Sequence, residues 1–566
     1  RKYRFNWNAP IVVSSHDPEV IYHAGNRVFR STDRGRNWTA ISPDLTRNDP
    51  TTQGPGGHPI TNEVSENYNT LFYLAESPLD ADVLWVGSDD GLLHISRDGG
   101  DNWSEITPRG ANRDDMPAMI NAIDASAHDA GTAFVAVTRY KHNDHTPLIY
   151  ATDDYGKSWR QLADAAFADV RTSSDFVRVV RQDTVNPKLL FAGTETGVFI
   201  SFNAGEDWQR MQNNLPRVPV TDLLVHGQDL VLSTQGRAFW ILDNITPLRQ
   251  MAADMDSTTA QLLQPATGFL VQGQSGGEGV GANPPAGASI DYWLPQTDAD
   301  ETAPELTLEI IDSNEQTLRT LRLKDDDSKD SNHVLTQKPG LNRIQWDLRM
   351  APVAATIDQG FAVAAGSDKT LDGMRIAPGD YTVKMHHGEQ TRTQKLRVAM
   401  DPRLDISPAD MTEFQQTKTD VADALSALHD TLRQMRSLAQ QAEDRNALLD
   451  SESDAELIAA GEAVIEASNN WQDSIHTSEW EFFQDVLNWP AKLDFNLQSL
   501  LYFSLDNTLP PLTQGLRERS QDLLQQWQDA AAARDAVLAS EVAAYNELFA
   551  ASGQPGLVLA ESDIAD

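Results

Sequence analysis

Short apolar, strand-like runs broken by polar turn residues recur through roughly the first 245 positions. Ile11-Val12-Val13, Val20-Ile21-Tyr22 and Arg27-Val28-Phe29 make one such group, and Val83-Leu84-Trp85-Val86-Gly87 belongs to the next, about Thr70 to Thr107. Further groups run from about Ile120 to Leu162 and from Phe176 to Met211. A partial fifth holds Val220 to Val225 and Leu230 to Ser233 and closes on Phe239-Trp240-Ile241-Leu242. Apolar and polar residues alternate at period two in Ser289–Leu294, Leu306–Ile311, Asn342–Leu348, Gly379–Met385 and Gln394–Val398. Several short strands with turn signals between them predict a second β domain, a sandwich of immunoglobulin-like type. From Ser407 the period changes. Ser407-Pro408-Ala409-Asp410 supplies an N-cap, a first-turn Pro and an acid. Val421, Leu425, Leu428, Leu432 and Met435 then follow at 4-3-4-3 spacing, a helical seam. Helices are also expected near 455–468 and 513–551, with the aromatic segment Trp480 to Tyr502 packing under the bundle.

One octapeptide punctuates the first region four times. Its defining positions are Ser31, Asp33, Gly35 and Trp38; Ser96, Asp98, Gly100 and Trp103; Thr152, Asp154, Gly156 and Trp159; Ser201, Asn203, Gly205 and Trp208. The third positions stand 65, 56 and 49 residues apart, a spacing that signals a repeat architecture. A short Asp accepts backbone N–H bonds inside a tight turn, Gly supplies positive φ, and Trp buries apolar surface on the neighbouring sheet. These residues therefore read as structural.

The four copies resemble the Asp-box, or BNR, repeat of sialidase-like and sortilin-like β-propellers. Ser42–Pro50, Glu76–Asp80, Gly193–Gly197, Gly236–Asp243 and Asn488–Leu493 resemble a bacterial family of sortilin-N-terminal-like proteins often labelled glycosyl hydrolases. Gln235 stands where that family usually carries His before Gly-Arg. The resemblance implies propeller blades over 1–250, followed by the sandwich over 260–400 and helices over 405–566. The chain opens on Arg1-Lys2-Tyr3-Arg4-Phe5 without Met. The expectation is a C-terminal part of a longer precursor, with missing blades supplied by an upstream segment or a separate chain.

Charge narrows the partners. With 83 acidic against 45 basic side chains the net charge is −38, which disfavours nucleic acid and anionic membranes. No apolar run approaches a membrane span of about 18 residues, and the absence of cysteine excludes disulfide and thiol chemistry. The Gly-rich stretch Gly273 to Ala288 reads as a linker. The run Lys324 to Asp330 reads as a solvated loop, with calcium as its alternative and no other cofactor expected.

Hairpin alternation places the loops between second and third strands on one rim, opposite the octapeptide turns. That rim should carry Asp89, Asp90, Arg139, His142, His145, Glu195 and the loop around His58. Asp89, Asp90 and Glu195 are the candidate catalytic carboxylates of a glycosidase, which needs two acids across a cleft. Their alternative reading is as turn-forming acids beside Gly. His58, Arg139, Tyr140, His142 and His145 are the candidate ligand contacts; His142 and His145 lack an identifiable third metal ligand. The Arg-Ile-Pro element of sialidases, phosphate loops and the zinc-hydrolase His-Glu-x-x-His motif are absent from the sequence. The favoured expectation is a periplasmic or extracellular propeller protein that binds a peptide, protein or glycan, as a subunit of a larger assembly. The alternative is a sialidase- or xyloglucanase-like glycoside hydrolase.

Overall fold

The computed structural model describes residues 3–54, 67–113, 116–162, 175–252, 255–271, 280–296, 304–323, 334–351, 373–479, 485–553 and 555–559. His58, the first part of the Gly-rich linker (273–279), the run Lys324 to Asp330 and the start of the aromatic segment lie outside these residues. The chain forms two compact units, Arg1–Ser257 and Thr258–Asp566.

The first unit is a succession of propeller blades. Blade 1 is a four-stranded antiparallel meander of Ile11–Val13, Ile21–Ala24, Val28–Ser31 and Thr39–Ala40. Blade 2 (Leu71–Glu76, Leu84–Ser88, Leu93–Ser96, Ser104–Glu105) has the same order. So do blade 3 (Met119–Ala125, Ala133–Arg139, Asp144–Thr152, Arg160–Gln161) and blade 4 (Val177–Gln182, Leu190–Thr194, Val198–Ser201, Gln209–Arg210). Blade 5 has three strands, Val220–His226, Asp229–Thr234 and Phe239–Leu242, followed by the short helix α1 (Thr246–Met251).

The apolar core lies between blades, because near-continuous apolar strands give each blade two apolar faces. Tyr22, Ala24 and Val28 of blade 1 meet Leu74, Leu84 and Val86 of blade 2. The other face of blade 2, with Val83, Trp85, Leu93 and Ile95, meets Ile120, Val135, Val137 and Leu148 of blade 3. Second strands of blades 2 to 4 are buried along their whole length, which explains their near-continuous apolar sequence. Each fully buried Leu or Ile contributes about 1.5–3 kcal/mol.

The octapeptides form the turns between third and fourth strands. In the first, Ser31 Oγ donates to Asp33 Oδ1 at 2.8 Å and accepts from Gly35 N at 2.8 Å. Asp33 Oδ1 also accepts from Asn37 N at 2.8 Å. The fourth copy repeats this with an amide: Asn203 Oδ1 accepts from Ser201 Oγ at 3.0 Å and from Asp207 N at 2.9 Å. Positive φ is needed twice per turn, at Arg34 and Gly35, Gly99 and Gly100, Tyr155 and Gly156, Ala204 and Gly205. Burial of the Trp differs between copies: Trp208 is buried, Trp103 and Trp159 are half-buried, and Trp38 is exposed, against the expectation for that position.

In the second unit a three-stranded sheet (Gln261–Leu262, Ala288–Leu294, Gly340–Trp346) shares a core with a six-stranded one. The latter orders Gly268–Leu270, Gln390–Met400, Gly379–His387, Leu306–Ile311, Thr317–Leu323 and Val334–Leu335. The sandwich has the expected two sheets, but both edge strands of the larger one pair in parallel. Tyr292, Trp346, Leu308, Val383 and Leu396 fill its interior.

Helix α2 (Pro408–Asn446) starts where Ser407 Oγ accepts from Asp410 N at 3.1 Å, and its predicted seam is buried. Helices α3 (Ala455–Ile475), α4 (Leu493–Gln498), α5 (Gln514–Val537) and α6 (Ala543–Ala551) complete the bundle, with a π turn at Leu538–Val542 where one long helix was expected. Leu493, Leu497, Leu500, Leu501 and Leu505 pack under the bundle, whereas Trp489 and Phe503 stay exposed. Among the described residues no helix is long and apolar enough to cross a membrane.

Candidate functional site

The loop Ser88-Asp89-Asp90-Gly91 joins the second and third strands of blade 2. Gly91 takes φ of +85°, and a Cβ there would stand 2.0 Å from Asn112 Oδ1, so the turn closes against the chain entering blade 3. Asp89 and Thr70 hold each other reciprocally. Asp89 N donates to Thr70 O at 2.9 Å, Oδ1 accepts from Thr70 N at 2.8 Å, and Oδ2 accepts from Thr70 Oγ1 at 2.6 Å. Burial pushes the Asp89 carboxyl up to about 7, the Thr70 bonds oppose the rise and the Asp90 charge adds to it. Asp90 is fully buried. It accepts from Arg47 N at 2.8 Å, Asn69 Nδ2 at 2.9 Å and Ser88 Oγ. Burial raises its carboxyl also.

Across the junction, the second strand of blade 3 ends on Thr138 and Arg139, both buried. Arg139 Nη1 donates to the carbonyls of Gly110 and Ala111 at 3.2 Å each, and its Nε stands 2.9 Å from Asp144 Oδ2. Burial works against the Asp144 charge, but hydrogen bonds from Thr146 and the Arg139 and Arg113 charges hold it below the usual carboxylate range. A single 3-10 turn, Tyr140–His142, ends at Asn143, whose φ of +59° turns the chain into the third strand. The result is a small pocket of about 10 Å³, room for roughly one water molecule, lined by Tyr68, Asp89, Pro117, Met119 and the run from Thr138 to His142. The buried Thr138 hydroxyl has no hydrogen-bond partner.

A second group adjoins it through Tyr140. Its ring stacks on Phe176 with centroids 4.8 Å apart and planes 6° from parallel. The Arg178 guanidinium lies 5.0 Å from the Phe176 ring centre and 5.6 Å from that of Tyr140. Arg178 also pairs with Glu195, and the His145 ring stands 5.7 Å from Phe176.

The structure thus gathers Asp89, Arg139, Tyr140 and His142 around one pocket, and His145 and Glu195 around the adjoining aromatic ledge. Asp90 sits behind Asp89, sealed by its own donors. Of the three candidate carboxylates, two share one tight loop of blade 2 and the third is paired to a cation in blade 4. Phe176, Arg178, Thr70 and Thr138 were not singled out from sequence. Phe176 and Arg178 carried a signal, an aromatic and a cation at the entry to a strand beside the Glu195 loop. Among the described residues no group of three or more His, Cys, Asp or Glu could hold a metal ion. A larger cleft of about 430 Å³ between blades 3 and 4 is lined by Asp153, Ser158, Trp159 and Arg160 on the side of the octapeptide turns. Turn hydrogen bonds occupy the nearby Asp154 carboxylate, so the chemistry concentrates on the opposite rim.

No protein-family model matches the chain. It is 29% identical over 171 residues to the photosystem II assembly lipoprotein Ycf48 of Synechococcus sp. (strain CC9902), covering 29% of this chain and 41% of that protein. The chain therefore spans about two fifths of that relative's length. Among solved structures, the GH74 xyloglucanase from Xanthomonas campestris is similar at 14% identity and a TM-score of 0.33, over 68% of this chain and 57% of the enzyme. Ycf48 bound to D1 peptide is similar at 14% identity and a TM-score of 0.19, over 43% of this chain and 95% of that one. The propeller fold of this chain stands on its own sheets, four meanders of four strands and one of three packed face to face.

Proposed function

We propose that this is an exported, periplasmic or extracellular binding protein whose blade 2–3 rim holds a segment of a peptide, protein or glycan as part of a larger assembly. The observation that carries the reading is the continuity of the pocket around Asp89 and Arg139 with the Tyr140–Phe176–Arg178 ledge. A small pocket beside the half-buried Tyr140 ring and Arg178 guanidinium, which the buried Phe176 backs, suits recognition of a polar group attached to a planar or apolar one. The similarity to an assembly lipoprotein supports a role in assembly by binding.

The second reading, a glycoside hydrolase, has one observation in its favour. A carboxyl raised to about 7 is what a general acid at neutral pH requires. Against it, both Asp89 oxygens are engaged by Thr70, and Glu195 is paired with Arg178.

The test is a peptide and glycan array followed by calorimetry on the hits, beside turnover of xyloglucan and sialosides. Binding weakened about tenfold or more by Tyr140→Ala, roughly 1.4 kcal/mol, with no turnover, supports the binder. Turnover abolished by Asp89→Asn would replace it with the hydrolase.

A further inference from the structure

Three blade junctions are built alike. At the first, Trp103 of blade 2 donates its indole N–H to Ile41 O of blade 1 at 2.9 Å. At the second, Trp159 of blade 3 donates to Ile106 O of blade 2 at 2.7 Å. The glycine of each turn presses on the same aliphatic residue, which leaves the preceding blade just after its outer strand. A Cβ on Gly100 would stand 2.8 Å from Ile41, one on Gly156 2.6 Å from Ile106, and one on Gly205 2.6 Å from Leu162.

Blade 1 carries the same device with nothing in it. The Trp38 indole donates only within its own turn, to Gly35 O at 2.9 Å, and the residue is 43% exposed, against 8% for Trp208. A Cβ on Gly35 would meet only Trp38 itself, at 3.6 Å. The same face of the sheet is bare. Ile11, paired with His23, is 70% exposed, whereas Leu74, paired with Val86 at the equivalent place in blade 2, is 3% exposed. Val13 is 57% exposed. Tyr3 and Phe5 cover Phe29 and His23 but leave Ile11, Val13 and Trp38 open. At the far end of the series the outward face of blade 5 exposes Leu224, Phe239 and Ile241.

We infer that Ile11, Val13 and Trp38 form an unfilled blade-docking face, and that its occupant is a further four-stranded antiparallel blade leaving its outer strand on a branched aliphatic residue. Continuity with the three filled junctions identifies the occupant, since the receiving parts are the same Gly and Trp. A second copy of this chain does not fit, because among the described residues its outward blade 5 has three strands, without the outer strand that presents the aliphatic carbonyl. The bare face of blade 5 is the matching surface on which such a series of blades would close.

The experiment adds a copy of residues 67–107, a whole blade ending past Ile106, in front of Arg1 of the full chain. Hydroxyl-radical footprinting then reads oxidation of Trp38, with Trp103 as internal reference. The expected result is a several-fold fall in Trp38 oxidation, to the level of Trp103, reversed when the added copy carries Ile106→Asp. Unchanged Trp38 oxidation overturns the inference. An added blade that stays unfolded while tethered overturns it too, because docking is what should hold it. Concentration-dependent protection of Trp38 in the unextended chain would make a second copy the occupant and overturn the assignment.

Discussion

Lys418 Nζ lies 2.6 Å from Asp506 Oδ1, and both side chains are almost wholly buried. Lys418 occupies the apolar stripe of α2 between Phe414 and Val421, a position where a charge needs a fixed partner. Asp506 also accepts from Arg349 Nη1 at 2.5 Å and Arg375 N at 2.8 Å, so one carboxylate ties the helices to the sandwich within the second unit. Asp506→Ala should cost that unit about 3–5 kcal/mol, since it strands buried cations. Urea unfolding followed by circular dichroism would show a lowered midpoint, and an unmoved midpoint would refute the role.

Asp89 predicts a pH dependence of opposite sign to the usual carboxylate. Its folded value, about 7, lies above the unfolded value of about 3.9. The stability it contributes is complete below the unfolded value and is lost as pH rises through about 7. Wild type should therefore lose up to about 4 kcal/mol relative to Asp89→Asn between pH 4 and 7. Parallel stability curves for the two proteins over that range would reject the buried acid.

The octapeptide carboxylates behave the ordinary way. Hydrogen bonds from Asn37 hold Asp33 down to about 2, and bonds from Ser158 do the same for Asp154. Their contribution is present above the unfolded value near 3.9 and disappears as pH falls through about 2. Asn203 keeps the turn without a charge. Asp154→Asn should accordingly retain the turn and lose the acid sensitivity, whereas Asp154→Ala should lower the unfolding midpoint at neutral pH.

Gly156 and Gly35 separate backbone strain from packing. Both have φ near +80°, so Ala at either costs about 1–2 kcal/mol for the left-handed backbone. At Gly156 the new methyl also strikes Ile106, which adds about 1–3 kcal/mol; at Gly35 it meets open space beyond Trp38. Thermal unfolding of Gly156→Ala and Gly35→Ala should differ by that second contribution. Equal shifts would contradict the filled and unfilled junctions.

The blades were legible because turn chemistry and strand-like apolar runs agree at every copy, and Asn203 could be read as a stand-in because an amide oxygen accepts the same bonds. Hairpin alternation placed Asp89, Arg139 and His142 on one side, since that depends only on strand count. What could not be read was pairing across blades. Phe176 meets Tyr140 from 36 residues away, a distance that alternation does not encode. Lys418 did leave a signal, a cation on an apolar stripe, but its partner Asp506 lies 88 residues on, between the aromatic segment and the last helix, where no element was expected. Trp38 was read by analogy with its three counterparts, and the analogy failed because burial of that ring depends on the next blade rather than on its own turn.

The stapling of blades 2 and 3 to their predecessors through one indole and one aliphatic residue, with the face-to-face packing of the later blades, makes the first unit a chain of nearest-neighbour couplings. In such a series cooperativity is transmitted link by link, and an end element held from one side opens before those held from two. Native-state hydrogen exchange should therefore form a gradient, fastest in the strand amides of blades 1 and 5 and slowest in Ala133–Arg139 of blade 3. The ends of the series would then be its natural entry points for proteases.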